Sequence, residues 1–127
     1  MSEVKDLSRI KTGKKGEEIA VRHLQKLGYR ILERNYRCPL GEIDVVARDK
    51  DTIVFVEVKS RKTEEFGDPE LAVGAKKQRT LSLISMYYLA QTPPLQEDCR
   101  FDVVAIKILP SGTEVTLIQN AFELAVS

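Results

Sequence analysis

Apolar positions change their spacing several times along the chain, and each change marks an element. Within residues 12–27, Ala20, Val21, Leu24 and Leu27 recur at helical spacing, while Glu18, Arg22, Gln25 and Lys26 share another face. Thr12 is a good cap and Gly28 a good stop, so the pattern predicts a helix over 12–27. YRILERNY at 29–36 predicts a first strand, and CPLG a turn. Residues 42–48 and 53–59 alternate as two strands of a hairpin, with RDKD near its tip. Residues 60–73 are polar, carry Gly67 and Pro69, and predict a loop. A second helix is expected over 74–90: basic at first, then apolar through Leu81, Leu83, Ile84, Tyr88 and Leu89, with TPP as its stop. RFDVVAIKI at 100–108 is nearly continuous in apolar character, as a buried strand is. PSG turns the chain into a last strand at 114–119.

The order is therefore α-β-β-β-α-β-β. The stretch from Lys59 to Phe101 is long enough for a right-handed parallel crossover, which predicts a mixed α/β sheet flanked by helices. Nothing in the chain reads as a linker or a repeat. Residues 1–127 are expected to form one domain, with about residues 1–11 as an N-terminal arm.

The hairpin carries charges where a sheet prefers Val or Ile. Alternation puts Glu42, Asp44, Val46 and Arg48 on one face and Ile43, Val45 and Ala47 on the other. It also groups Ile53, Phe55, Glu57 and Lys59 opposite Val54, Val56 and Val58. If Asp49 pairs with Thr52, Asp44 falls directly across from Glu57, at roughly 5 Å between Cβ atoms. Two carboxylates so placed repel, and a divalent cation turns the conflict into a ligand set. A cation held there would polarise a phosphate and activate a water for phosphodiester hydrolysis. Lys59 would orient that water or neutralise charge growing on the phosphate. The competing reading is an outer sheet face with solvated charges, against which Val46 and Phe55 on the same face argue. Glu17 extends the apolar face of the first helix inward, while Glu18 lies about 100° away on the polar face; a first-turn acid that favours the helix dipole is the plainer reading of Glu17.

Composition narrows the chemistry. Hydrophobic residues make up 43% and charged residues 31%, the balance of a globular chain. No apolar run spans a bilayer and the N-terminus lacks a signal core, so the expectation is a cytoplasmic protein without membrane contact. Cys38, Cys99 and His23 are the only soft ligands, too few for a structural zinc site. A metal here would be held by oxygen, which favours Mg²⁺ or Mn²⁺. The net charge is +1, but it is segregated. Residues 1–37 hold ten Lys/Arg against five Asp/Glu, and residues 38–75 hold five against nine. A basic third beside an acidic middle suits a polyanion surface around a carboxylate-rich centre. Solvated helix faces would give the same count.

GKKGEEIA, GEIDVVA and FVEVKSR, followed by AVGAKKQRTL and FDVVAI, resemble the YraN family of small bacterial proteins over nearly the whole chain from Thr12. That family is similar to the PD-(D/E)xK nucleases and to archaeal Holliday-junction resolvases. The resemblance implies a restriction-endonuclease-like αβββαβ core. It places the motif Asp on Asp44, the (D/E)xK part on Glu57-Val58-Lys59, and the helix-one acid on Glu17. It adds the Val58 carbonyl as a metal ligand and implies a homodimer. Ile43 stands where the motif has Pro.

The expected function is thus Mg²⁺-dependent hydrolysis of DNA, branched DNA in particular. Lys14, Lys15, Arg61, Lys62, Lys76, Lys77 and Arg79 would hold phosphates. Few aromatics are present for stacking bases, which disfavours a single-strand specialist. The alternative is a non-catalytic nucleic-acid-binding or scaffold protein that retains the fold. A small-molecule phosphatase would need an enclosed pocket that no sequence feature indicates.

Overall fold

The computed structural model describes residues 2–62, 72–91 and 98–125, with side chains from Gly13 onward. Most of the predicted loop at 60–73 and the TPP stop lie outside the described residues. Seven elements follow in order: α1 (Ser2–Lys26), β1 (Arg30–Cys38), β2 (Gly41–Asp49), β3 (Thr52–Lys62), α2 (Ala75–Ala90), β4 (Cys99–Leu109) and β5 (Gly112–Phe122). They form the expected αβββαβ core with one strand added. The five strands make a single sheet in the order β1-β2-β3-β4-β5. β3 and β4 run parallel and all other neighbours antiparallel, so the sheet is mixed and the crossover carries α2.

Each helix covers one face. Ala20, Val21 and Leu24 of α1 pack on Val45, Ala47, Val54, Val56, Val104 and Ile106. Leu81, Ile84 and Tyr88 of α2 pack on Val46, Ile53, Phe55, Phe101 and Val103. Tyr88 meets Tyr36 and Phe55 edge-to-face, with ring centroids 5.1 and 5.8 Å apart. Both faces of the central strands are therefore buried, which is why β4 reads as an almost unbroken apolar run. Among the described residues, no helix is long and apolar enough to cross a membrane.

Four expectations change. First, α1 begins at Ser2, not at Thr12, so the helix includes residues 2–11. No glycine or proline interrupts 2–12, and a cap-type residue such as Thr12 does not stop an otherwise permissive stretch. Second, Leu27 falls past the helix end and is exposed. Third, Leu83 points outward, because it lies about 100° from Ile84 on the helical wheel. The buried places beside Leu81 and Ile84 go to Ser82 and Ser85. The Ser85 hydroxyl donates to the Ser82 carbonyl, and the Ser82 Oγ accepts the Ala125 N–H, so neither hydroxyl is buried unsatisfied. Fourth, Ile43 joins the α2 side with Val46 instead of the α1 side with Val45 and Ala47. The strand twists there, where β2 parts from β3.

α1 approaches the sheet closely at Gly16. A Cβ on Gly16 would sit 1.8 Å from the Ser60 Oγ and 2.9 Å from the Ser60 Cβ. Gly16→Ala is expected to destabilise by about 1–3 kcal/mol, despite alanine's better helix propensity. Thermal unfolding measures this, and Ser60→Gly in the same chain should restore part of the loss. A fully additive double variant would show that the contact is not the cause.

Candidate metal and phosphate site

The hairpin register positions the site. Asp49 pairs with Thr52, Arg48 with Ile53 and Val45 with Val56, and there the β2–β3 ladder stops. Just past the last pair come Asp44 on β2 and Glu57 on β3, unpaired in that ladder but close enough for their carboxyls to act on each other. Asp44 supplies with its side chain what the ladder no longer does: its Oδ2 accepts the Val58 N–H at 2.8 Å. The bond fixes the carboxyl beside β3 just before Lys59.

The two acids are close enough to compete for charge. Burial, and then the Glu57 carboxylate, push the Asp44 carboxyl up to about 7, against the opposing pull of the Val58 N–H and, more weakly, of the Lys77 ammonium. The Glu57 side chain is only 15% exposed, and its Oε2 meets the Lys77 ammonium of α2 at 3.5 Å. Lys59 shares the face of Glu57, and its Nζ donates to the Ala72 carbonyl. Glu57, Lys59, Ala72, Val73, Gly74 and Lys77 line a solvent-open cleft of about 390 Å³. The far wall is held in place by Gln78, whose amide donates to the Val73 carbonyl at 2.7 Å.

Glu17 is not gathered with this pair. Among the described residues, no three of Asp, Glu, His and Cys form a metal-binding group. Glu17 instead accepts from Asn35 Nδ2 at 3.2 Å, and Glu18 from Arg34 at 2.9 Å. Asn35 lies between the pairs Arg34–Val45 and Tyr36–Ile43, across from Asp44, in a left-handed conformation (φ 52°) that asparagine tolerates. Glu17 is thus one residue removed from Asp44 through β1.

The donor set fits a hard divalent ion. Glu57 on the cleft wall with Asp44 behind it matches Mg²⁺ or Mn²⁺, which take one or two protein carboxylates and leave other positions to water and phosphate. A soft-metal site is not indicated: Cys38 and Cys99 are free thiols on different strands, and burial pushes the Cys99 thiol up.

The basic residues fall into two groups about the end of β3. Lys14 and Lys15 are exposed on α1, on the turn that Gly16 presses against Ser60, and Arg61 and Lys62 end β3. Lys76, Lys77 and Arg79 are exposed in the opening turns of α2, on the other side of the sheet.

A family model described as "Uncharacterised protein family UPF0102" matches residues 16–106, from the Gly16 contact through β4. The chain belongs to the UPF0102 family, also known as YraN. A UPF0102 protein of Syntrophus aciditrophicus is 56% identical over 117 residues, covering 91% of each chain. One of Geobacter sulfurreducens is 49% identical, covering 89% of each. One of Thermodesulfovibrio yellowstonii is 42% identical, covering 91% of this chain and 99% of the relative.

Two polar clusters escaped the reading of the sequence. Lys77 is at the carboxylate pair, not only on the basic surface. On the α1 face of the sheet, where β4 pairs it with Val56, Asp102 is 1% exposed, bound by Arg100 and Tyr29. A carboxylate within the run FDVVAI was the one available signal for the second cluster.

Proposed function

We propose that this UPF0102 protein is a metal-dependent endonuclease that hydrolyses DNA phosphodiesters. The observation that supports the reading best is the Asp44–Glu57 pair: two carboxylates brought together at an open cleft, at a cost to the metal-free fold. A chain with no use for the pair would gain by replacing either acid. When bound, Mg²⁺ or Mn²⁺ supplies Lewis acidity at the scissile phosphate. Asp44, Glu57 and the Val58 carbonyl would hold it. Asp44 is oriented for this by the Val58 N–H, and Glu57 by its place on β3. Lys59 projects beside them, where its ammonium stabilises the developing phosphorane charge or orients the attacking water. The basic groups on α1, β3 and α2 flank the cleft on both sides, which suits a duplex laid across the strand end better than a small phosphate ester. Branched DNA and a two-fold dimer follow from the likeness to junction resolvases.

The deciding experiment incubates purified protein with labelled duplex, flap and four-way-junction DNA, with and without Mg²⁺ or Mn²⁺. Cleavage that requires the cation is the expected result. DNA binding without cleavage on every substrate would establish the scaffold reading instead.

Glu17 is assigned a supporting part, acting through Asn35 at the back of Asp44. Glu17→Ala is expected to lower the cleavage rate about tenfold, while Glu18→Ala, which breaks only an exposed pair with Arg34, stays within twofold. Equal losses from both changes would remove Glu17 from the site.

A further inference from the structure

We propose that Lys77 is a displaceable counter-ion: it neutralises Glu57 until a divalent cation binds, and then transfers its charge to a phosphate of the nucleic acid. The inference rests on the nuclease reading above and adds a residue to it.

Two ammonium groups line the cleft, and they are differently engaged. Lys59 is held by the Ala72 carbonyl, whereas Lys77 reaches across from α2 to the carboxylate pair, 3.5 Å from the Glu57 Oε2. Its root is fixed, because Gln78 ties the start of α2 to Val73 through its side chain and to Gly74 through its backbone N–H. Its head is not. The Lys77 side chain is 51% exposed while Glu57 is 15% exposed, so a solvated cation sits on a largely buried anion. Such a half-wet pair is weak and easily exchanged. A divalent cation held by Glu57 would carry twice the charge and would repel the ammonium from the carboxylate it now neutralises. On a flexible four-carbon stem the displaced group swings toward the mouth of the cleft, where a phosphate bound to the same cation would lie. One lysine thus keeps the empty site neutral and then adds a phosphate contact only when the site is loaded.

The test reads cation affinity and DNA affinity separately, in wild type, Lys77→Met and Lys77→Arg. Met keeps the length of the stem without the charge, and Arg keeps the charge. Mn²⁺ is titrated calorimetrically without DNA, and duplex binding is followed by fluorescence anisotropy with and without Ca²⁺, which supports binding without turnover. Lys77→Met is expected to bind Mn²⁺ about threefold to fivefold tighter than wild type. Its DNA affinity should fall slightly without cation, where Glu57 is left bare, and by about threefold to fivefold with Ca²⁺. Lys77→Arg should resemble wild type in both arms. Unchanged or weaker Mn²⁺ binding by Lys77→Met overturns the counter-ion role. A DNA deficit equal with and without Ca²⁺ overturns the transfer and leaves Lys77 an ordinary phosphate contact. If wild type binds no Mn²⁺, the metal-dependent reading itself fails, and this inference with it.

Discussion

Asp44→Asn is expected to abolish cleavage, leave DNA affinity equal or higher, and stabilise the metal-free protein above neutral pH. The three effects have one cause. Asn keeps the shape of the side chain, and its carbonyl oxygen still accepts the Val58 N–H. It loses the charge that a hard cation requires, and several kcal/mol of Lewis-acid stabilisation corresponds to about three orders of magnitude in rate. Binding does not suffer, because a carboxylate that repels phosphate has gone. Stability follows from proton linkage. The Asp44 carboxyl holds its proton to about 7 in the folded chain, against 3.8 for the free group. Between these values the folded state binds more protons than the unfolded, so stability falls as pH rises from about 4 to about 7. Asn removes that fall. With Lys77 nearby and the site open to solvent, the gain at pH 8 is on the order of 2 kcal/mol, or roughly 6–10 °C in Tm. Thermal unfolding from pH 4 to 8 with chelator present measures it: wild type should slope downward and the variant should be nearly flat. A variant that unfolds would make Asp44 a structural acid and sink the proposed site.

The hairpin register was readable because a short tip between alternating strands leaves few ways to pair. Asp49 pairs with Thr52 and Arg48 with Ile53 in the register that alternation offered, and β3 and β4 run parallel as the length of the crossover allows. The element order was likewise written in periodicity. What alternation could not show is where a ladder ends. Past Val45 and Val56 the strands part, and Ile43 turns to the other face. Helix faces were readable only where apolar residues were numerous. Leu83 looked like core and Ser85 did not, yet Ser85 is buried because its hydroxyl finds a carbonyl one turn back. Pairings across long separations were invisible for a simpler reason. Lys77 reaches Glu57 only after the crossover has placed α2 on the sheet, and Tyr29 reaches Asp102 only after the chain has folded across a separation of 73 residues.

That last contact carries the largest expected loss of stability: Arg100→Ala should cost about 3–5 kcal/mol. Asp102 is buried in β4 as a carboxylate, and each of its oxygens depends on partners. Oδ1 accepts from Arg100 Nε and from the Asn120 N–H, both at 2.9 Å. Oδ2 accepts the Tyr29 hydroxyl at 2.8 Å and a second Arg100 nitrogen at 3.1 Å. The same guanidinium reaches Asp49 at 3.0 Å, so it joins the hairpin tip to the start of β4, while Gln119 of β5 donates to the Tyr29 oxygen at 2.8 Å. Chiefly because of its bonds to Asp102, Arg100 holds its proton even more firmly than a free guanidinium. Removing it strips the only cationic partner the structure gives Asp102 among the described residues. A buried ion then faces neutral donors alone, which is far costlier than losing an exposed pair. For a chain of this size the loss corresponds to a fall in Tm of roughly 10–20 °C. Replacing both members, Arg100→Met with Asp102→Leu, should recover part of it, since no charge is left inside β4 and the Asp49 carboxylate, which also loses Arg100, keeps some contact with solvent. Urea unfolding of the two single variants and the double variant reads the coupling. Asp102 pairs with Val56, next to Glu57, but the network lies on the α1 face of the sheet whereas Glu57 meets Lys77 on the α2 face, so the fraction of Arg100→Ala that remains folded should bind Mn²⁺ as wild type does. A loss below about 1 kcal/mol would mean that solvent reaches Asp102 and that the cluster does not tie the hairpin tip to β4.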